Sequence, residues 1–489
     1  MYNNKIIQRI AIILYVSLSV IYVVWRICFT LNINQMAASL IFLFVDMVMC
    51  FSAILFVVSF WQIPDFSTPL ENSNPFSVDV LVPTFNETCE MLETTLQHCI
   101  DMDYHHKTWL LDDGNRIEMK SLAERLGVAY IARDVNIGAK AGNLNNALQK
   151  VQGELIAIFD ADFRPEKEFI TRLIGYFNDQ EVAIVQTPQF YYNTDSFQHR
   201  HFCSDKVYSD QDTFMHLVLP VRNNWNSAYW IGTNALIRRE AIKSIDGFPT
   251  DCVTEDVLTS MYIHGKGWKT IYVDEPLAYG LAPANMSQYF VQRIRWAKGA
   301  FQILRYHNPL FQKRLSLMQR LFYFSSVSHF FEGILRIVYY LFPAFFFLLG
   351  IVPIYPYLPI IIEFLLFFTF FRLILNIITK GHTNLMRDET YSIIKSFIYL
   401  MALPAFVFGK NIRFKVTPKD NRSRTISLQG FIGPLIIFGF NLIAIVFAVF
   451  DLSSFDIMGW IVFGWCLYMF SIAFMSCYYC FKPLIRKTK

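Results

Sequence analysis

Three short clusters carry residues whose type and spacing fit chemistry. Asp160 and Asp162, in FDAD, follow directly on the apolar run LIAIF. Two carboxylates one residue apart past a buried strand present hard oxygen ligands, of the kind magnesium or manganese takes while bridging two phosphates. Such an ion neutralises charge on a departing nucleoside diphosphate. A plain turn role is the alternative, because loops are rich in Asp. Thr254, Glu255 and Asp256 open the helical run VLTSMYIHGKG. Thr254 is placed to cap that helix, and acids are favoured at its start in any case. Sugar transfer with inversion, however, needs a general base beside the acceptor hydroxyl, and one of these carboxylates could serve. Gln292, Arg293, Arg295 and Trp296 form QRIRW. A guanidinium fork grips phosphate oxygens and an indole stacks under a sugar ring; a basic-aromatic helix on a membrane surface is the plainer reading.

The elements that must position these clusters alternate between two periods. VDVLVP, WLLDDG, VAYIARD and LIAIFDAD read as strands, with helices starting near Cys89, Glu118 and Ala141 between them. Strands alternating with helices imply an α/β unit whose parallel sheet is covered on both faces. Ligands in such sheets sit at the carboxyl ends of the strands. Asp112 and Asp113 stand at one such end, Asp160 and Asp162 at another.

Around this unit the chain is too apolar for an ordinary soluble protein: 54% of its 489 residues are hydrophobic and the mean hydropathy is +0.33. Six stretches reach the roughly 20 apolar residues that a membrane crossing needs: 10–31, 37–61, 325–350, 357–379, 429–450 and 457–481. Residues 1–65 thus form two spans, 66–320 a soluble domain, and 321–489 a second membrane part. The stretch 384–410 is broken by Arg387, Asp388, Glu389, Lys395 and Pro404 and reads as an interfacial helix. Lys5, Arg9 and the closing RKTK place both termini and the central domain in the cytoplasm, since the links 32–36, VPIYP and DLSSFD hold no Lys or Arg. The first span lacks a small-residue cleavage site and reads as an anchor. Asp46, Glu332, Arg336, Glu363 and Arg372 lie inside spans and must face protein or water, either as ion pairs such as Glu332 with Arg336 one turn on or along a hydrated path. A net charge of +4, from 43 basic and 39 acidic residues, gives no field that calls for nucleic acid. Nine scattered cysteines give no disulfide or zinc pattern, and Cys477 and Cys480 read as membrane packing.

In order along the chain, VLVPTFNE, LLDDG, AKAGNLNNAL, FDAD, VQTPQF, TED, QRIRW and FKVTPK resemble the motifs of the processive family 2 glycosyltransferases, most closely the catalytic subunit of bacterial cellulose synthase. The likeness runs over roughly residues 10–485. It implies an α/β GT-A-type domain inserted in an α-helical membrane domain. It also implies roles: Phe85, Glu87, Asp112, Asp113 and Lys140 at the uracil and ribose end of the donor, Asp160 and Asp162 on a magnesium or manganese ion, and Asp256, beside Glu255, as the base. Gln292, Arg293 and Arg295 would steady the diphosphate, and Trp296 would platform the acceptor. Phe414, Val416, Thr417 and Lys419, within 413–420, match the gating loop that closes over the nucleotide.

Departures from the family pattern mark where expectations thin. Phe163 stands where a His often follows Asp-x-Asp as a further metal ligand. Tyr229-Trp230-Ile231-Gly232-Thr233 replaces the acceptor-side Phe-x-Cys-Gly, so Trp230, Ile231 and Gly232 are the acceptor candidates and the linkage is open. Asp420 replaces a glycine after the gating lysine. No room is left after the last span for a cyclic-di-GMP-binding barrel, so direct activation by that nucleotide is not expected. The implied activity is polymerisation of a β-glucan, cellulose-like or β-1,3-linked, from UDP-glucose, with translocation of the growing polysaccharide across a plasma (inner) membrane. Membrane lipid and envelope accessory subunits are the further partners. A polymer of N-acetylglucosamine, hyaluronan type or mannose, a non-processive transferase, and a transporter with a nucleotide-binding domain are the alternatives.

Overall fold

The computed structural model describes residues 5–62, 75–193, 195, 210–283, 285–355, 358–381, 385–408 and 428–481. The gating-loop candidates Phe414, Val416, Thr417 and Lys419 lie outside these residues.

Between the membrane helices a seven-stranded sheet forms from β1 (Val78–Thr84), β2 (Lys107–Asp112), β3 (Ala129–Ala132), β4 (Leu155–Ile158), β6 (Val182–Gln186), β8 (Ala235–Arg238) and β9 (Lys269–Tyr272), in the order β3-β2-β1-β4-β8-β6-β9. Period-two alternation sorts its side chains between two cores. Val80, Val82, Leu155 and Ala157 join Leu96, Leu110 and Phe169 on one face. Leu81, Ile156 and Ile158 join Leu111, Leu144 and Ile237 on the other. The helices α3 (Cys89–Ile100), α4 (Ile117–Leu126) and α5 (Ala139–Leu148) make the crossovers that the sequence predicts.

The sheet is mixed rather than wholly parallel, because β8 runs antiparallel to both β4 and β6. This difference builds the site. With Ile158 opposite Ala235, the residues just before β8 lie beside those just after β4, so Thr233 meets Asp160 directly and Gly232 shares Lys140 with it. A small sheet of β5 (Arg164–Pro165), β7 (Phe190–Tyr191) and β10 (Ala278–Gly280) closes the flank. There Phe163 covers Gly280 so closely that a Cβ on Gly280 would lie 2.3 Å from its ring. Phe163 is buried and turned into the core, away from the metal-ligand role a His takes there.

Seven helices among the described residues are long and apolar enough to cross a membrane: α1 (Lys5–Phe29), α2 (Met36–Ser59), α11 (Leu317–Leu349), α12 (Leu358–Ile378), the run Asp388–Phe408, α15 (Leu428–Val449) and α16 (Ile457–Phe481). Six match the expected spans. The seventh run is the stretch read as interfacial, and it is two helices, α13 (Leu385–Ala402) and α14 (Pro404–Phe408), parted where the Pro404 ring excludes a continuous backbone ladder. At 33 residues α11 is about 50 Å long, more than a bilayer's apolar core. Its start is held by a Ser316–Gln319 capping box.

The intramembrane charges pair between helices. Arg26 meets Asp46 at 2.7 Å, Ser52 donates to Glu332 at 2.5 Å, and Trp25 donates to Glu363. Arg336 reaches Glu389 of α13 at 2.9 Å rather than Glu332 on its own helix. Cys477 and Cys480 are free thiols packed with Tyr391 and Tyr479.

Candidate active site

Strand ends deliver the acidic residues to one edge. Past β4, the Asp160 amide donates to Thr233 Oγ1 at 3.0 Å. Lys140, one residue into α5, donates to the Asp160 carboxylate and, at 2.7 Å, to the Gly232 carbonyl. The strap Tyr229–Thr233 is pinned from two other elements: the Gln186 side chain, at the end of β6, receives the Ile231 amide at 3.0 Å, and Ser260 of α9 (Glu255–Gly265) receives the Trp230 amide at 2.8 Å.

Gly232 sits at φ +91, and a Cβ there would lie 3.1 Å from Asp256 Oδ2. A glycine is required twice over, by the backbone and by the carboxylate beside it. Replacing Gly232 with Ala is expected to strain this strap by ~2 kcal/mol and push Asp256 aside. Sugar incorporation should then fall much more than UDP affinity, as steady-state rates and a UDP titration would record.

Asp256 and Glu255 open α9 side by side. Thr254 does not cap the helix with its side chain; that side chain is pressed against Gly299, where a Cβ would lie 2.4 Å from Thr254 Oγ1. Burial pushes the carboxyls of Glu255 and Asp256 above the ordinary range, and for Glu255 the Asp256 charge adds to it; Lys140 and Arg295 pull both back in part. A base must be ionised to take a proton. Activity is therefore expected to rise with pH through an acid limb lying well above the ordinary Asp value of about 3.9, which a pH profile of kcat/KM would reveal.

The same carboxyl edge, one and two strands over from β4, holds the donor candidates. Glu87 accepts from the Phe85 amide at 2.9 Å and from Thr84 Oγ1 at 2.7 Å, fixing the turn after β1. The Phe85 ring is 43% exposed and free to stack on a flat ring. Asp112 is buried and accepts from Arg116 and from Tyr130, the latter at 3.0 Å. Asp113 takes a forked pair from Arg133. Both carboxylates are thus engaged within the protein and shape the loop.

On the acceptor side, Ile231 is half-buried, whereas Trp230 is fully buried against Phe248 in the sheet core. Trp230 is brought under the site rather than into it, with Lys140 Nζ 5.9 Å above its ring. QRIRW lies on α10 (Met286–Tyr306). Arg295 acts electrostatically on both Glu255 and Asp256, while Arg293 turns to Asp210 and covers Trp296 at 4.4 Å. Gln292 keeps its Oε1 buried without a hydrogen-bond partner.

Sequence reading gave no role to Arg116, Arg133, Thr233, Gln186, Ser260 and Asp210. Arg116 stands four residues beyond Asp112, and Gln186 and Thr233 lie inside the runs VQTPQF and Tyr229-Trp230-Ile231-Gly232-Thr233, but the partners of the last two, like those of Ser260 and Asp210, join elements far apart in the chain.

Asp160 and Asp162 suit a hard divalent ion, and no third His, Cys, Asp or Glu gathers with them among the described residues. Phosphate and water oxygens would complete the shell.

Residues 79–246 match the family model for glycosyl transferase family 2, and residues 180–488 that for cellulose synthase. The UDP-forming cellulose synthase catalytic subunit of Pseudomonas fluorescens (strain SBW25) is 35% identical over 369 residues, covering 71% of this chain and 49% of the relative. That of Xanthomonas axonopodis pv. citri (strain 306) is 33% identical over 330 residues, covering 65% and 45%. Cellulose synthase 2 of Novacetimonas hansenii is 35% identical over 342 residues, covering 67% and 21%. The chain spans about half the length, or less, of these curated relatives. Among solved structures, the mannosyltransferase PcManGT from Pyrobaculum calidifontis, in complex with GDP-Man and Mn2+, aligns at a TM-score of 0.54 and 17% identity over 76% of this chain and 99% of that one, a likeness of fold. The cellulose synthase match runs from the sheet through the membrane helices and over most of the chain, so the protein belongs to the cellulose synthase family of family 2 glycosyltransferases.

Proposed function

We propose that the protein is a processive, inverting synthase of a β-glucan, cellulose-like or β-1,3-linked, which draws on UDP-glucose at the cytoplasmic face and moves the product out between its own helices. One observation carries the reading: Asp256 abuts Gly232 on the strap whose carbonyl is held by Lys140, and the same ammonium holds Asp160. A base and a diphosphate-side carboxylate thus stand on two sides of one gap.

In this reading Phe85 stacks on the uracil, and the loops shaped by Glu87, Asp112 and Asp113 seat the ribose. A magnesium or manganese ion held by Asp160 and Asp162 supplies charge neutralisation on the diphosphate when bound. Lys140 and Arg295 add fixed positive charge beside it. Asp256 takes the proton from the acceptor hydroxyl as that oxygen bonds to the anomeric carbon from the face opposite UDP. The bond from that carbon to the UDP oxygen breaks with its electron pair, and the configuration inverts. Trp296 platforms the acceptor, and Ile231, next to Gly232 on the strap, sets which hydroxyl faces the base. The segment 413–420 would gate the donor. The sheet domain and both termini are cytoplasmic, and envelope accessory subunits are partners to be sought.

Membranes bearing the protein, given labelled UDP-glucose, UDP-N-acetylglucosamine or GDP-mannose with magnesium or manganese, test it directly. Incorporation from UDP-glucose into a polymer cut by a linkage-specific glucanase is the expected result. No polymer from any donor would remove the synthase reading. Polymer from another sugar alone would move the specificity and keep the mechanism.

A further inference from the structure

Asp210 was not singled out by any motif, yet its side chain is 4% exposed and joins three parts of the molecule. Its Oδ2 accepts from Arg293 Nη2 and, at 2.8 Å, from the Tyr289 hydroxyl, both on α10. Its Oδ1 accepts from Lys395 Nζ at 2.9 Å, and Lys395 lies on α13 of the membrane part. The Arg293 guanidinium is layered between two rings, 5.0 Å from the centre of Tyr289 and 4.4 Å from that of Trp296. A continuous set of contacts therefore runs from α13 through one buried carboxylate to the face of the indole.

We infer that Asp210 is a latch, positioning Trp296 through Arg293 and tying it to α13, and that Arg293 is a positioning residue rather than a diphosphate ligand. This rests on the synthase reading only where Trp296 is taken as the acceptor platform. Three features support it. Arg293 donates to its carboxylate through Nη2 alone and its Nε is buried without a hydrogen-bond partner, but the side chain is 10% exposed and stacked between two rings, so little of the guanidinium is within reach of a phosphate. Arg295, two residues on, is the guanidinium whose field reaches Glu255 and Asp256. And Lys395, 18% exposed, is the one charge in residues 391–402 of α13, where a charge is retained against a partner; Asp210 is that partner. Removing Asp210 would leave two cations facing each other in a buried site, which is costlier than the pair itself is favourable.

The test uses the full chain in membranes and after purification in detergent. UDP affinity is read by direct titration and product length by sizing. Arg295→Ala is expected to weaken UDP by about tenfold or more, whereas Arg293→Lys and Lys395→Met should leave UDP affinity within about twofold and shorten the product severalfold. Lys395→Arg should restore the length. In Asp210→Asn the further change Lys395→Met should cost no additional length, since the latch is already open. If Asp210→Asn does not accumulate, the two Lys395 variants still decide. Loss of UDP affinity in Arg293→Lys equal to that in Arg295→Ala would overturn the assignment of Arg293. Wild-type product length in Lys395→Met would overturn the latch. Should the unaltered protein make no polymer, the synthase reading fails separately, and the UDP titrations of the two arginine variants still decide the role of Arg293.

Discussion

Asp256→Asn is expected to lower sugar incorporation by a factor on the order of 10²–10⁴, the span over which a positioned general base contributes, while UDP still binds. The amide keeps the shape of the carboxylate, so the Val257 amide, now donating to Asp256 Oδ1 at 2.9 Å, keeps an acceptor. What is lost is the ability to take a proton. The variant should also be more stable than the parent near neutral pH. Burial raises the Asp256 carboxyl above its unfolded value, so its ionisation opposes folding. The sign follows from linkage: stability associated with this group is present below its unfolded pKa and is lost as pH rises through the raised folded value. An uncharged Asn escapes that loss. A higher Tm with no polymer is thus the signature of a base removed, whereas a lower Tm with no polymer would point to damage of the fold. A transporter with a regulatory nucleotide site predicts that the variant keeps its function, and full activity in Asp256→Asn would overturn the synthase reading.

The second large effect is expected at the carboxylate pair. Asp160→Asn and Asp162→Asn each weaken the hold on a divalent ion whose charge stabilisation is worth about 4 kcal/mol, or about a thousandfold in rate. Chelation should abolish incorporation in the parent, and added magnesium or manganese should restore it. In the variants, restoration should need a higher metal concentration, which a metal titration of rate would show. Asp160 has a further tie. With its charge gone, Lys140 loses its ionic partner and keeps two neutral acceptors, the amide oxygen at position 160 of the variant and the Gly232 carbonyl, so the strap beside Asp256 should loosen as well. Asp160→Asn is therefore expected to lose more acceptor-side function than Asp162→Asn, read as a larger fall in product length at saturating metal. Equal effects at both positions would mean that Lys140 does not transmit the change.

Much of this molecule was legible because its signals are local. The strand runs ending in Asp112 and Ile158 carry their period in adjacent residues, and six apolar stretches announce themselves by length alone. The ordered motifs from VLVPTFNE to QRIRW placed the chain in its family, and the family matches agree. What local signals could not give was direction. Nothing in ALIR says that β8 runs antiparallel to β4, since a four-residue apolar strand reads the same either way. That reversal is what sets Thr233 against Asp160 and brings Gly232 to the same lysine.

The same limit applies to partners. QRIRW names two arginines without saying which faces the donor, and the stretch 384–410 shows Lys395 as an interruption without showing that Asp210 answers it. Trp230 reads as an acceptor candidate from its neighbours, yet its ring fills the core beneath Lys140. Sequence alone determined which residue types are present, which elements carry them and which family they belong to, because covalent spacing and hydrophobic period are properties of the chain itself. Only the tertiary structure decided which charges meet, which rings face the gap and which lie under it. Those outcomes depend on contacts between residues tens to hundreds of positions apart, where burial leaves each charge to find the partner that the fold brings within reach.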